Sequence, residues 1–345
     1  METKSENSRW VMREHEVFKE YLRETTASKS TALENYVQKL RIKIVREEDK
    51  ELEFDLINCD ISLVNAFRRI LISEVPSMAI DKVFIVNNTS LLQDEVLAHR
   101  LGLIPLRADP RLFEYPPSGR KDDEVSDQDT LKYELKVTCT TNPQAPKYSH
   151  LPEDMYRNSK VYSKDIKWVP IGRQGDMFPY GAEQFSVLED DILICKMRPG
   201  HEIHAFMYAV KGIGKDHAKF SPVAPARYRL MPAIELTRPV RNKDADLLQS
   251  CFSPAVIEVV EKETSSGEKY REARVKNARY DSCARNVYRY EQLKDCVKMS
   301  RITDHVIFNI ESVGTLPSSV LFTEAVKVLK NKCKTFLAEL EHVEV

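Results

Sequence analysis

The run GIGKD at residues 212–216 comes nearest to a catalytic motif in this 345-residue sequence, because glycines ahead of a lysine can turn backbone N–H groups toward a phosphate. The phosphate-loop pattern, however, is GxxxxGK followed by Ser or Thr, whose hydroxyl reaches the magnesium ion. Asp216 stands in that place, and its carboxylate would repel a phosphate. Gly212 and Gly214 read better as backbone turns that present Lys211, Lys215, His217, Lys219 and Phe220 to a protein surface. A plainer alternative is a strained turn whose lysines simply face water.

Other reactive groups are isolated. His99 and Arg100 sit in LAHRLGLIPL beside apolar residues, with no nucleophile or second ligand nearby in sequence, so His99 reads as a hydrogen-bonded packing residue. The seven cysteines, at 59, 139, 195, 251, 283, 296 and 333, lie far apart and form no CxxC pair. Such a set reads as reduced thiols, some of them buried as small apolar residues. Neither a metal site nor a cofactor is expected.

Bulk charge points the same way. The chain has 52 basic and 53 acidic residues for a formal net charge of -1, whereas a free-standing nucleic-acid binder is more often basic overall. The first residues lack an apolar signal region and no stretch approaches 18 uncharged apolar residues, which argues against secretion and membrane insertion.

The elements around these residues alternate in style. Residues 1–35 are polar and aperiodic and are expected to be a flexible N-terminal arm, with a helical turn around Val17, Phe18, Tyr21 and Leu22 on contact with a partner. Alternation at residues 40–44 and again at 52–56 predicts a pair of strands. Over residues 62–74 the 3.6-residue period places Leu63, Ala66, Phe67 and Ile70 in one apolar sector, with Asn65, Arg68 and Arg69 on the other side. Asp60 or Ser62 caps this helix and Pro76 stops it. Arg68 and Arg69 are either solvated helix residues or partners for a neighbouring subunit.

A second short helix is expected at 94–101, an acidic loop at 114–130, strands at 131–139, 205–210, 228–236 and 256–260, and a charged hairpin or loop at 261–279. The chain closes with an alternating strand at 305–312 and a long amphipathic helix. Its apolar residues from Leu321 to Leu340 include Leu329, Cys333, Phe336 and Leu337 and occupy nearly half the circumference, enough to cover this chain's own sheet on one face and a partner helix on the other. The expected class is α+β: one domain built from 36–106 and 301–345, interrupted by a mainly β inserted domain at 107–300.

The run NAFRRIL, then EVPSMAIDKV, then DEVLAHRLGLIPL resembles the dimerisation motif of the alpha-like subunits of multisubunit RNA polymerases, a group that spans bacterial, archaeal and eukaryotic enzymes. The segment KGIGKDHAKFSPVAPARYRLMP resembles a second signature of the eukaryotic and archaeal members. Between them, ADPRLFEY is similar to the form shared by polymerases I and III. The resemblance covers roughly residues 36–342.

It implies the family's discontinuous alpha-like dimerisation domain and a non-catalytic scaffold subunit that heterodimerises with a smaller alpha-like subunit. It also implies that the pair anchors the second-largest subunit and two small zinc-binding subunits, with DNA met only through the assembled enzyme. No run of carboxylates of the kind that holds two magnesium ions for phosphoryl transfer occurs here, so the chain would support a polymerase without performing its reaction. Location in the nucleus, including the nucleolus, with assembly beginning in the cytoplasm, goes with that reading.

Partner-facing residues expected on the two helices are Leu63, Asn65, Phe67, Arg68, Arg69, Ile70 and Leu71, then Leu329, Cys333, Phe336, Leu337 and Leu340. The lysine-glycine turn is the expected contact for the second-largest subunit. Alternatives are a subunit of polymerase II or archaeal type, which the dispersed cysteines and ADPRLFEY disfavour; a nucleotide-binding enzyme using 212–215; and a nucleic-acid module using the basic stretch 269–279.

Overall fold

The computed structural model describes residues 9–12, 17–20, 34, 36–117, 119, 125–146, 148, 151–263 and 268–341. It is a mixture of helix and antiparallel sheet, as the periodicities require. Contacts divide it into two compact units. One comprises the described residues up to Arg46 with Glu53–Ala66 and Arg227–Asn309, and the other Glu47–Leu52, Phe67–Ala226 and Ile310–Val345 as far as it is described. The block 107–300 is thus shared between both units at residue 226, a different partition from a single inserted block.

The first unit is built on a sheet with the strand order β2 (Val17–Glu20), β1 (Arg9–Met12), β16 (Val297–Ser312), β4 (Glu51–Ile57), β3 (Arg41–Glu47), with β13 (Val223–Leu236) also paired to β16. Strand β16 begins eight residues before the alternation at 305 suggests. Val17 and Phe18, expected in a helical turn, lie instead in β2, whose register with β1 pairs Val17 with Met12 and Phe18 with Val11. A neighbouring strand supplies backbone partners that a short isolated turn lacks. Tyr21 and Leu22 lie outside the described residues. A hairpin of β14 (Ile257–Glu263) and β15 (Lys269–Val275) packs on the helix Lys243–Ser250 around Ala245, Leu248, Val256 and Ala273.

A four-stranded sheet in the order β10 (Ile166–Val169), β6 (Thr130–Thr138), β12 (Glu202–Ile213), β5 (Pro76–Asn88) organises the second unit. One face of it is the core: Leu131, Tyr133 and Leu135 from β6 and Ile203 and Met207 from β12 are buried against Leu97, Leu101, Leu106 and Phe185. Two short ladders, β7 (Thr140–Thr141) with β8 (Tyr156–Arg157) and β9 (Lys160–Tyr162) with β11 (Leu193–Lys196), complete the strands. We label the three helices that matter below α1 (Ile61–Ser73), α2 (Asp94–Gly102) and α3 (Ser318–Glu341).

Candidate dimerisation interface

Helix α1 starts where Asp60 accepts hydrogen bonds from the backbone N–H and hydroxyl of Ser62, at 2.7 and 2.5 Å. Those bonds favour the ionised carboxylate and lower its pKa, so Asp60 is the cap and Ser62 its first donor. The buried side of the helix is formed by Val64, Ile70 and Leu71, with Leu63, Asn65, Ala66, Phe67 and Arg68 half-buried and Arg69 exposed. Ile70 and Leu71 therefore belong to the chain's own core and offer no surface to a partner, contrary to expectation. The apolar sector predicted from spacing runs through Leu63 and Ala66; adding Val64 and Leu71, about two turns apart, turns the inward face toward them.

The ring of Phe67 meets that of Phe322 on α3 at 5.3 Å between centroids and 59° between planes. Such tilted pairs contribute about 0.5–1.5 kcal/mol beyond area burial. Farther along, the Lys332 amine lies 2.7 Å from the Glu74 carboxylate just past the end of α1.

Helix α3 is buried against the chain at its start, and the Lys332–Glu74 pair ties it farther along. Ser318 donates its backbone N–H to Asp49 O at 3.1 Å and its hydroxyl to Lys50 O at 2.7 Å, and Leu321 and Ala325 are buried. Leu329 is half-buried, and every residue from 331 to 341 is exposed. Phe336, Leu337 and Leu340 retain 62%, 60% and 50% of their accessible surface, and Cys333 is exposed beside them. The wide apolar stripe is thus divided along the helix, with its first two turns covered by the chain and its last three open, rather than around it. Three large apolar side chains within two turns are the pattern of an unpartnered interface.

Beside this end of α3 runs a groove of about 890 Å³, lined by Tyr115, Ile213, Lys215, Val328, Cys333 and Phe336. Tyr115 is the residue that sequence reasoning misses at this place: ADPRLFEY marks a subfamily resemblance but carries no signal that its tyrosine faces the last helix. Val326, exposed one turn before Leu329, lies outside the predicted stripe.

The lysine-glycine turn is tightly packed rather than displayed. A Cβ on Gly214 would stand 2.2 Å from Ile72 O, and one on Gly212 would stand 2.7 Å from the Phe220 ring. These glycines serve close approach, not a left-handed turn. Phe220 is buried, and its carbonyl accepts the Ser77 hydroxyl at 2.7 Å. Lys211 donates to Phe113 O at 3.0 Å with its amine 4.9 Å from the centre of the Tyr115 ring, and burial lowers its pKa. The Lys219 amine is 2.8 Å from Asp81. Only Lys215 and His217, among the residues expected to meet a second subunit, are exposed. Phe220 and Gly212 are corrected to core positions.

Among the described residues no group of three or more His, Cys, Asp or Glu side chains is arranged to hold a metal. Cys139 and Cys195 are both buried in the core of the second unit. The basic stretch 269–279 is largely neutralised within its own unit: Arg271 pairs with Asp246, Arg274 and Lys276 with Glu258, and Arg279 with Glu53 and Asp55.

Two helices locked by a ring pair, one ending in an open apolar face, define an assembly module, and residues 53–333 match the model of the RNA polymerase Rpb3/Rpb11 dimerisation domain; the chain belongs to that family. It is 52% identical over 310 residues to the DNA-directed RNA polymerases I and III subunit RPAC1 of Mus musculus, covering 90% of this chain and 87% of that one. The subunit of the same name from Saccharomyces cerevisiae is 45% identical over 304 residues, 88% of each chain. DNA-directed RNA polymerase II subunit rpb3 of Dictyostelium discoideum is 31% identical over 297 residues, 84% of this chain and 91% of that one.

Proposed function

We propose that this chain is the larger alpha-like subunit shared by RNA polymerases I and III, a scaffold that carries no catalytic group of its own. Identity of 45–52% to subunits of that name against 31% to a polymerase II counterpart supports the assignment over the polymerase II alternative. The observation that carries the assembly role is the open end of α3, where Phe336, Leu337 and Leu340 stand exposed. A smaller alpha-like subunit is the partner for that face. An obligate interface of this kind commonly buries about 2,000 Å² or more and resembles a core cut in half. The heterodimer then anchors the second-largest subunit, with Lys215 and His217 as available contacts, and two small zinc-binding subunits; it works in the nucleus and nucleolus.

Tagging the chain in its native host and identifying what it retains after a moderate salt wash tests this reading. Recovery of the largest subunits of polymerases I and III with one small alpha-like partner is expected. Recovery of polymerase II alone, or of no polymerase, would overturn it.

A further inference from the structure

The four-stranded sheet of the second unit has one face in the core and one that no described element of that unit fills. On the outer face, β12 contributes His204, Phe206 and Tyr208, β5 contributes Lys82, Phe84 and Val86, β6 contributes Lys132, Glu134 and Lys136, and β10 contributes Lys167. The registers bring these into rows: Phe206 lies between Phe84 and Glu134, and Tyr208 between Lys82 and Lys132, while His204 lies across from Lys136 and Glu134 from Lys167.

The rings form a ridge of two packed pairs bridged by the Lys132 amine. Phe84 meets Tyr208 edge-on at 5.3 Å, His204 meets Phe206 at 5.1 Å, and the Lys132 amine sits 4.5 Å from the centre of the Phe206 ring. At the β5 margin Phe84 and Val86 remain 43% and 61% exposed. Lys132, Lys136 and Lys167 stand on this face with two carboxylates that already have partners: Glu134, held 3.0 Å from His204, and Glu202 at the end of β12, which accepts from the Asn87 amide at 3.0 Å.

We infer that this face docks an acidic protein segment bearing apolar side chains, supplied by another polymerase subunit; the inference rests on the functional reading above. Its chemistry follows from the rows. Carboxylates would meet Lys132, Lys136 and Lys167, and an apolar side chain would cover Phe84 and Val86, so both the charge and the apolar surface find complements. A single-stranded nucleic acid suits the face less well, since stacking needs open ring faces and these rings are edge-packed or lie under Lys132.

The test labels lysines with an acylating reagent in the native assembled enzyme and in the co-expressed heterodimer, then treats the assembled enzyme with a carbodiimide that joins amines to carboxylates in contact. Loss of labelling at Lys132, Lys136 and Lys167 on assembly, with carbodiimide links from them to Asp or Glu of another subunit, is expected. Equal labelling in the two states would overturn the inference while leaving the scaffold reading intact. So would protection that nuclease treatment removes, which would assign the face to nucleic acid, or protection without any carboxylate link. Recovery of the tagged chain without a large polymerase subunit would overturn the functional reading and this inference together. Replacing Phe84→Ala and Lys132→Glu together should release the linked subunit at moderate salt while the smaller alpha-like partner is retained; undiminished retention of that subunit counts against the docking face.

Discussion

Phe67 on the first long helix and Phe322 on the last, 255 positions later in the chain, bring their rings together at 5.3 Å, and that contact fixes where the open end of the last helix points. Phe67→Ala removes the ring pair without exposing Val64, Ile70 or Leu71. Truncation of a large packed side chain costs roughly 3–5 kcal/mol when fully buried, and Phe67 is half-buried, so the lower end is expected. Chemical denaturation of the heterodimer measures the loss; an unchanged midpoint would remove Phe67 from this role.

Residues at the open end should separate stability from association. Phe336→Ala, Leu337→Ala and Leu340→Ala leave the chain's own core intact, so each is expected to change its unfolding free energy by less than about 0.5 kcal/mol. Partner affinity should fall at least about tenfold for each hot-spot change, the equivalent of 1.4 kcal/mol. Ile70→Ala and Leu71→Ala should do the reverse, costing about 2–5 kcal/mol of stability before any effect on binding is read. Titration calorimetry paired with urea unfolding distinguishes the two groups.

Gly214→Ala cannot be accommodated by a side-chain shift, because the added carbon meets the backbone carbonyl of Ile72 at 2.2 Å. The end of α1 must move, and a lowered melting temperature with reduced partner binding is expected. Lys215→Ala next to it should melt like the unmodified chain, since its side chain is exposed.

Arg279 is paired with Asp55 at 2.7 Å and with Glu53, and only 11% of its side chain and 5% of that of Asp55 are exposed. Arg279→Met removes the guanidinium from the buried Asp55 carboxylate and leaves it His305 at 3.2 Å, so the lower end of roughly 3–5 kcal/mol of destabilisation is expected. The same pairing predicts that the heterodimer shows no steeply salt-dependent binding to duplex DNA in fluorescence anisotropy.

Asp281 is buried, and desolvation raises its pKa, with the charges of Arg229 and Arg301 opposing that shift. The folded state therefore holds this proton more tightly than the unfolded chain does. Its contribution to stability is fully present below the unfolded carboxylate pKa and is lost as pH rises through the folded value. Asp281→Asn should raise the melting temperature at pH 7 and lose that advantage below about pH 4. An equal gain at both pH values would contradict the assignment.

Much of the architecture is legible because it rests on local periodicity: the helix at 61–73, the strand alternation from 130 to 138 and the long closing helix all announce themselves through spacing. The sense of helical burial is harder to read. Val64 and Leu71 face inward because of what lies across from them, and a single helix's pattern is nearly as apolar on the Leu63–Ala66 side. The glycines at 212 and 214 stand out in the sequence but suggest the wrong role, since the close approach of Gly214 to Ile72 joins positions far apart in the sequence and leaves no mark in spacing. Likewise, the stripe on α3 is visible in full, whereas the point at which the chain ceases to cover it is not.

The turn at 212–215 also changes how defects in this chain should be sorted. Lys215 donates its backbone N–H to Ser73 O at 2.8 Å, taking one of the carbonyls left open at the end of α1. The second signature thus splints the helix that the first one encodes. In a genetic screen for lost pairing, lesions at Gly212 and Gly214 would score with those at Phe336 although both glycines pack inside this chain, and suppressors of Gly214 lesions would be found at residues 70–74 rather than in the other subunit.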